Sequence, residues 1–280
     1  MTDLILDRVV PALADVPGVA AVVLGGSRAK GTATVGSDYD LGLYYGPGAA
    51  LDVGKLLKAV EGVVDNPDEA AVTPVGAWGP WIVGGAWLRV NGHKVDLLYR
   101  SAEAVTGVID NCRVGQITMH YQPGHPHGFC SAIWMGEVDL CQPLHDPHRL
   151  ITKLKAMTSP YPEQLRAAII RQFQWEILFS IESGEFAIAR SEQTHIAGSV
   201  YRALCCIGQV LFALNRRYLI NEKGALDEAA QFPLSLSDLS DRVAAVWRAI
   251  GRREFAAAFG ELRAFESELR VAVTAAGQNR

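Results

Sequence analysis

The first half of the chain alternates between strand-like and helix-like hydrophobic patterns. An apolar run over residues 19–26 predicts a buried strand that ends in a glycine turn. Residues 39–45 (YDLGLYY) predict a second strand, and apolar residues at helical spacing over 51–64 predict a helix. A short amphipathic helix is expected over residues 1–18.

A hairpin and a helix are expected next along the chain. Residues 84–100 predict two strands around Asn91-Gly92, a strong signal for a tight turn. A helix is expected over about 101–114, and the proline- and histidine-rich residues 119–149 predict less regular structure. The first half therefore predicts an α+β domain, with a small mixed β-sheet and flanking helices.

The second half has apolar residues at helical spacing almost throughout. The period runs through residues 162–218 and returns over 236–250 and 252–274, which predicts a bundle of about four or five helices. The length of 280 residues favours two domains.

The change of pattern predicts the domain boundary near residues 146–152. Asp146 can cap a helix that Pro147 begins. We therefore expect one domain at 1–148 and a helical bundle domain at 149–280.

Composition and charge indicate a soluble globular protein. Hydrophobic residues make up 49% of the chain and charged residues 20%. The net charge of −4 is concentrated in the first half, which suits metal ions or small cations. Neither half has the strongly basic character of a nucleic-acid binder, so a nucleic-acid partner is not expected.

Cysteine usage and the apolar runs favour a cytoplasmic protein without a membrane span. The five cysteines are odd in number and have no C-x-x-C spacing, which argues against a disulfide framework or a zinc site. The N-terminal segment has acids where a signal peptide needs bases. The longest apolar run, residues 203–214, contains Gln209 and is too short to cross a bilayer.

Three aspartates form the candidate metal site. Asp38 and Asp40 are two residues apart in a strand pattern, so their carboxylates share one face while Tyr39 and Leu41 take the other. Asp96 is the single acid in the strand-like run 84–100. Carboxylates grouped in this way suit Mg²⁺, which prefers one or two of them together with substrate phosphates.

A glycine turn precedes the paired aspartates. Gly25, Gly26 and Ser27 follow a buried strand, and amide-rich turns of this kind bind phosphate oxygens. Arg28 and Lys30 add positive charge where a triphosphate would lie. Taken singly, a glycine-serine turn or a D-x-D pair is more often structural than functional, but their order and spacing strengthen the functional interpretation.

The combination resembles the nucleotidyltransferase superfamily that includes DNA polymerase β. The matching segments are residues 24–27 (LGGS), 37–41 (SDYDL) and 95–97 (VDL), which span about a quarter of the chain. The helical second half also resembles the C-terminal domain of small bacterial members, including aminoglycoside adenylyltransferases. That second resemblance is much less specific.

The resemblance implies a two-metal transfer of a nucleoside monophosphate. Asp38 and Asp40 would hold two Mg²⁺ ions with the triphosphate of ATP or another NTP. Asp96 would hold the second metal and act as base toward the acceptor hydroxyl. The acceptor oxygen would attack the α-phosphorus in line, and pyrophosphate would leave.

The resemblance also implies the phosphate contacts. Either Gly25-Gly26 or Gly26-Ser27 would grip the β- and γ-phosphates, and we prefer Gly26-Ser27. Arg28 would assist, and Ser37 belongs to the same nucleotide-binding set.

Two further cations are candidate nucleotide contacts. Arg217 and Lys223 lie in a basic stretch that follows the most apolar helical segment. Their structural interpretation is a helix C-terminus whose cations complement the dipole before Gly224. The functional interpretation is a clamp on the phosphates and base, and the two are evenly weighted.

Other side chains favour structural interpretations. The histidines at 125–127 and 145–148 predict loops rather than metal ligands, and His195 predicts a helix residue with a satisfied ring. Glu176 is a weak candidate for binding a cationic acceptor. Trp78, Trp81 and Trp87 are expected to pack the sheet, with one of them a candidate for lining the cleft.

Three functions remain in competition. The first is transfer of AMP from ATP to a hydroxyl of a small molecule, with aminoglycoside-like or lincosamide-like antibiotics as the familiar acceptor class for this architecture. The second is the same transfer to a protein side chain or a tRNA end. The third is a catalytically silent nucleotide-binding regulator, which we rank last because all three acids are present. The sequence does not decide the acceptor, the preferred NTP or the oligomeric state.

Overall fold

The protein has a mixed α+β fold, as predicted, in a computed structural model that describes residues 3–46 and 50–278. The described strands are β1 (Val19–Leu24), β2 (Tyr39–Tyr45), β3 (Gly85–Val90), β4 (His93–Ser101), β5 (Met119–His120), β6 (Phe129–Cys130) and β7 (Gln142–His145). The described helices are α1 (Leu4–Ala14), α2 (Gly26–Lys30), α3 (Val53–Glu61), α4 (Ala102–Arg113), α5 (Ile133–Leu140), α6 (Leu150–Thr158), α7 (Glu163–Ile188), α8 (Gln193–Leu214), α9 (Ala225–Ala229), α10 (Leu239–Gly251) and α11 (Phe255–Gln278), with a 3₁₀ turn at Pro67–Glu69.

Five of these strands form one mixed sheet in the order β3-β4-β2-β1-β7. Strands β2 and β4 are parallel, and the other neighbouring pairs are antiparallel. The small mixed sheet expected from the hydrophobic pattern is therefore confirmed.

One face of this sheet carries the hydrophobic core. Helices α1 and α3 contribute buried side chains such as Val9 and Leu56 to the cluster that contains Leu41, Leu43 and Leu97 of the sheet. Successive residues of a strand point to opposite faces. The odd-numbered positions of β2 and β4 are thereby committed to the core, and the even-numbered positions project from the other face.

The hairpin between β3 and β4 turns at the predicted residues. Asn91 has φ 49° and Gly92 has φ 76°, the pair of positive angles that a tight two-residue hairpin turn requires. The carboxylate of Asp65 accepts hydrogen bonds from both turn amides, at 2.6 Å from Asn91 N and 2.8 Å from Gly92 N. These bonds lower the pKa of Asp65, and the bond from Gly92 has the largest effect.

The chain divides into two compact units. The first contains residues up to Asp110 together with Trp134–Pro160, and the second contains Asn111–Ile133 together with the chain from Tyr161 onward. This division assigns residues 111–133 to the second unit and 149–160 to the first. The functional assignment of the domains stays a prediction.

The second unit, which we call the helical unit, is built around the long antiparallel helices α7 and α8. Helix α11 packs against both, and α10 packs against α11. Arg242 of α10 binds Glu261 and Glu268 of α11 and lies 4.3 Å over the ring of Phe265. The ribbon β5–β6 also belongs to this unit.

Residues 119–149 are more regular than the sequence pattern predicts. They contain α5 and the edge strand β7, which pairs antiparallel with β1 and places Pro143 beside Val23. The expectation that a helix begins at Pro147 is wrong. The chain turns at Arg149, whose φ is 56° and whose N–H donates to Asp146 O, so α6 starts at Leu150.

Helix α8 is long and apolar enough to span a membrane, but 72% of its most apolar window is buried in the protein. That burial is typical of a core helix and consistent with a soluble protein. All five cysteines are free thiols, as expected. Burial raises the pKa of Cys130 to about 12, so this thiol stays protonated at neutral pH.

Candidate active site

The candidate site lies on the face of the sheet opposite the hydrophobic core. Asp40 of β2 and Asp96 of β4 are register partners in the parallel ladder. Both are partly exposed, whereas their strand neighbours Tyr39, Leu41 and Leu97 are buried. The sheet itself thus brings together two carboxylates that are 56 positions apart in the sequence.

The glycine turn is built against Asp40. Gly25 N donates a 2.8 Å hydrogen bond to Asp40 O. Gly26 has φ +58°, and a Cβ at this position would stand 1.7 Å from Asp40 Oδ2. A Cβ on Gly25 would make only ordinary contacts, the nearest at 3.6 Å to Asp40 O. Gly26, which belongs to both candidate phosphate-binding pairs, is therefore the position where only glycine fits.

Ser27 lies in the first turn of the short helix α2. Its carbonyl accepts a hydrogen bond from Thr32 N at 3.0 Å, which closes the loop after α2. Ser37 closes the next turn, because its hydroxyl accepts from Thr34 N at 2.9 Å. The predicted phosphate contacts of both serines stay predictions.

Arg28 ties this loop to the sheet. Its Nε donates to Asp38 O at 3.1 Å, and its Nη2 donates to Ser37 O at 2.8 Å. The guanidinium lies 3.6 Å over the centroid of the Tyr39 ring, and the Tyr39 hydroxyl donates to Asp3, the N-cap of α1. Arg28 therefore fixes the backbone at Asp38, and its predicted contact with phosphate stays a prediction.

The three aspartates act on one another electrostatically. Burial and the neighbouring charges of Asp40 and Asp38 raise the pKa of Asp96, and Lys94 opposes the shift. Like charges held close together disfavour ionisation unless a cation compensates them. A carboxyl group whose pKa is raised by burial and like charges is a candidate for binding a cation or accepting a proton.

An open groove of about 510 Å³ adjoins Asp38 and Asp96 in the first unit. Its polar lining includes Asp65, Glu69 and Lys94. The acids outnumber the cations in this lining, so the groove favours a positively charged ligand.

Trp87 gives this groove an aromatic wall that the sequence did not single out. Its side chain is 71% exposed, it is the register partner of Asp96 on β3, and it stacks on Trp78 with ring centroids 4.5 Å apart. The three tryptophans were expected to pack the sheet, with one of them, which the sequence did not specify, a candidate for lining the cleft. Trp87 lies instead on the open face, at an odd-numbered position of β3, and only the register of β3 with β4 reveals this.

The predicted clamp residues belong to the helical unit. Arg217 and Lys223 are exposed, and neither side chain forms an ion pair with another described residue. The neighbouring Arg216 is bound to Glu163 at 2.5 Å. Arg217 and Lys223 are thus available to a ligand, and their contact with nucleotide stays a prediction.

The weaker candidates of the helical unit have structural partners. His195 Nε2 lies 3.3 Å from Ser183 Oγ, as expected for a satisfied helix histidine. The carboxylate of Glu176 is bound to Arg202 at 2.6 Å. The loop expected around His125 and His127 is confirmed between β5 and β6, although both side chains are largely buried.

The residues fit a magnesium ion by their chemistry. No group of three or more His, Cys, Asp or Glu side chains among residues 3–46 and 50–278 forms a ready-made metal cage. Mg²⁺ does not need one, because it binds through one or two carboxylates and completes its shell with water and substrate phosphates. Asp40 and Asp96, with the nearby charge of Asp38, offer such a partial set.

Comparison with known proteins agrees with this geometry. Residues 6–105 match the model of the nucleotidyltransferase domain. The matched segment contains the glycine turn and all three aspartates, and the match supports transfer of a nucleotidyl group in general. It covers about a third of the chain and leaves the helical unit outside.

Among solved structures, a nucleotidyltransferase-like protein from Exiguobacterium sibiricum 255-15 is similar over 96% of this chain and 77% of its own. The sequence identity is 12% and the TM-score 0.42. No curated protein matches the sequence.

We expect Gly26→Ala to disrupt the site. The added Cβ must displace the Asp40 carboxylate, and the left-handed backbone adds a cost of about 1–2 kcal/mol. Thermal denaturation with and without millimolar Mg²⁺ measures both effects, and the variant should lose the stabilisation by Mg²⁺. Gly25→Ala is the matched control, with extended backbone and ordinary contacts. Equal behaviour of the two variants would contradict the assignment of Gly26.

We expect Asp96→Asn to stabilise the metal-free protein at neutral pH. The folded-state pKa of Asp96 is raised, so ionisation costs folding free energy above the ordinary Asp pKa. The gain should shrink as the pH falls toward that value, where the native carboxyl becomes protonated. Urea denaturation across this pH range measures the difference.

Asp68→Asn, at an exposed position of the 3₁₀ turn, is the control and should change stability by less than about 0.5 kcal/mol. A loss of stability in Asp96→Asn at neutral pH would show that Asp96 is not held against like charges.

Proposed function

We propose that the protein is a metal-dependent nucleotidyltransferase that moves AMP from ATP to a hydroxyl of a small molecule and releases pyrophosphate. The observation that carries the proposal is the pairing of Asp40 with Asp96 across β2 and β4. They lie beside a turn in which position 26 accepts only glycine. The match of residues 6–105 to the nucleotidyltransferase domain supports the same chemistry.

In this proposal Asp38, Asp40 and Asp96 would hold two Mg²⁺ ions, which would supply charge neutralisation for the triphosphate and the developing oxyanions. Gly26 and Ser27 hold the β- and γ-phosphates through backbone amides, with Ser37 and Arg28 at the same turn. The bonds from Arg28 to the carbonyls of Ser37 and Asp38 support this, because they keep the loop and the first aspartate in one arrangement.

Asp96 is the proposed base. Its pKa is raised by burial and by its acidic neighbours, which makes its carboxylate a stronger proton acceptor. The acceptor hydroxyl gives its proton to Asp96 as its oxygen bonds to the α-phosphorus. The bond from the α-phosphorus to the bridging oxygen of the β-phosphate breaks, and pyrophosphate leaves with that oxygen.

We propose the groove beside Asp96 as the acceptor site. Its acidic lining and the exposed ring of Trp87 favour a compact cation or an amino sugar over a polyanion. This supports an aminoglycoside-like or lincosamide-like acceptor. A protein side chain or tRNA end remains the alternative acceptor, and acceptor panels containing both distinguish them.

Asp40→Asn should lower pyrophosphate release by about 10²-fold or more, since it removes a charge that stabilises the transition state. Turnover is measured with labelled NTPs, Mg²⁺ and a panel of hydroxyl acceptors. Asp7→Asn, an exposed position of α1 on the core side of the sheet, should keep full activity.

Retained turnover in Asp40→Asn would contradict the metal role of Asp40. Tight nucleotide binding by the wild-type protein without turnover on any acceptor would favour the nucleotide-binding regulator.

Lys223→Ala should weaken ATP binding by about tenfold or more, because a hydrogen bond to a charged phosphate contributes about 1.5–3 kcal/mol. Arg217→Ala should act in the same direction. Calorimetric titration with a non-hydrolysable ATP analogue and Mg²⁺ measures the change, with Lys58→Ala on α3 as the exposed control. Unchanged ATP affinity in both variants would contradict the clamp and favour the structural interpretation, in which these cations complement the dipole at the end of α8.

A further inference from the structure

The helical unit contains a cavity of its own, of about 150 Å³, which we call the α8 cavity. Its apolar wall is formed by Leu204 of α8, Leu219 of the following loop, Leu226 of α9 and Trp247 of α10. Gly208 of α8 opens the space, because it presents no side chain between Leu219 and Leu226. A cavity of this size holds a molecule about as large as benzene.

Polar side chains enter this apolar wall from three segments. Gln209 of α8 and His127 of the β5–β6 loop are 5% and 8% exposed, and Tyr201 and Glu222 complete the set. The Oε2 atom of Glu222 is buried and accepts no hydrogen bond from the described part of the chain. A buried carboxylate oxygen without a hydrogen-bond donor is costly, and a ligand that donates to it recovers that cost.

Glu222 carries the one formal charge in the lining. One of its oxygens, Oε1, accepts a 3.1 Å hydrogen bond from His127 N. The other, Oε2, lies 3.7 Å from His125 Nδ1. Burial lowers the pKa of His127, so its ring is neutral at pH 7, and the pKa of Cys205 is raised to about 12. The cavity is thus a small apolar chamber with one carboxylate, one oxygen of which is buried without a hydrogen-bond donor.

We propose that the α8 cavity binds a small primary amine with a compact apolar body, its ammonium group directed to Glu222 and Gln209. The apolar walls accept a ring or a short branched chain, and the single carboxylate selects a cation over a neutral or anionic molecule of the same shape. The proposal rests on the helical unit alone and holds whether or not the protein transfers nucleotides.

Benzylamine is the probe, titrated into the full-length protein by calorimetry and followed by NMR. Its Kd is expected on the order of 10⁻⁴ M for a ligand of this size. Benzyl alcohol, which has the same shape without the charge, should bind at least about tenfold weaker, and benzoate should not bind. No binding of benzylamine, or equal binding of the amine and the alcohol, overturns the proposal.

Gly208→Ala tests the position of the site. The new Cβ would lie 3.7 Å from both Leu219 and Leu226, in ordinary contact, so the fold is kept while the cavity shrinks. Benzylamine affinity should fall at least about tenfold. Gly198→Ala is the matched control, since it lies on the same helix with nothing within 4 Å of its Cβ. Equal affinity in the two variants overturns the placement.

Glu222→Gln tests the charge. The amide oxygen of glutamine can still accept the hydrogen bond from His127 N, so the wall is preserved while the carboxylate is removed. The preference for benzylamine over benzyl alcohol should disappear, with binding of the alcohol retained. A preserved preference for the amine overturns the role of Glu222.

Discussion

The close approach of the Asp40 carboxylate to the backbone of Gly26 is the contact on which the candidate site depends. The two segments are held at this distance by the hydrogen bond from Gly25 N to Asp40 O, which continues the pairing of β1 with β2 past Leu24. A side chain at residue 26 would force the carboxylate away. The glycine turn and strand β2 therefore form one structural unit, and the geometry of each depends on the other.

The parallel pairing of β2 with β4 then places Asp96 beside Asp40. Its register is fixed by the buried residues on the other face, since a slip of one position would turn Leu41 and Leu97 toward water and Asp40 and Asp96 into the core. The hydrophobic core thereby sets the spacing of the carboxylates. The sheet fixes the positions of the carboxylates. It also holds like charges close together on its open face, which costs stability.

Much of the first unit could be predicted from the sequence because its patterns are local. Strand β2 and the hairpin at Asn91-Gly92 follow from period-two alternation and from a turn that needs two positive φ angles. Strand β7 could not be predicted, because it is four residues long and contains Pro143. A proline is tolerated there because β7 lies at the edge of the sheet.

The same limit applies to residues whose environment is decided by distant contacts. The aspartates are recognisable from spacing alone, but the exposure of Trp87 follows from the register of β3 with β4, which no local pattern contains. The sequence predicts Arg28 as a free cation near phosphates. Only the fold reveals that its guanidinium donates to two backbone carbonyls and lies over the Tyr39 ring.

The histidine loop of the helical unit gives the clearest case of this limit. The prolines and glycines around His125 and His127 predict a loop correctly, and loops are usually exposed. Here the side chains are largely buried, and Glu222, 95 positions later, accepts a hydrogen bond from the backbone N–H of His127. A polar residue such as Gln209 inside an apolar helix also has no local explanation. Its position beside that loop and Glu222 makes the α8 cavity a consequence of tertiary packing rather than of helix pattern.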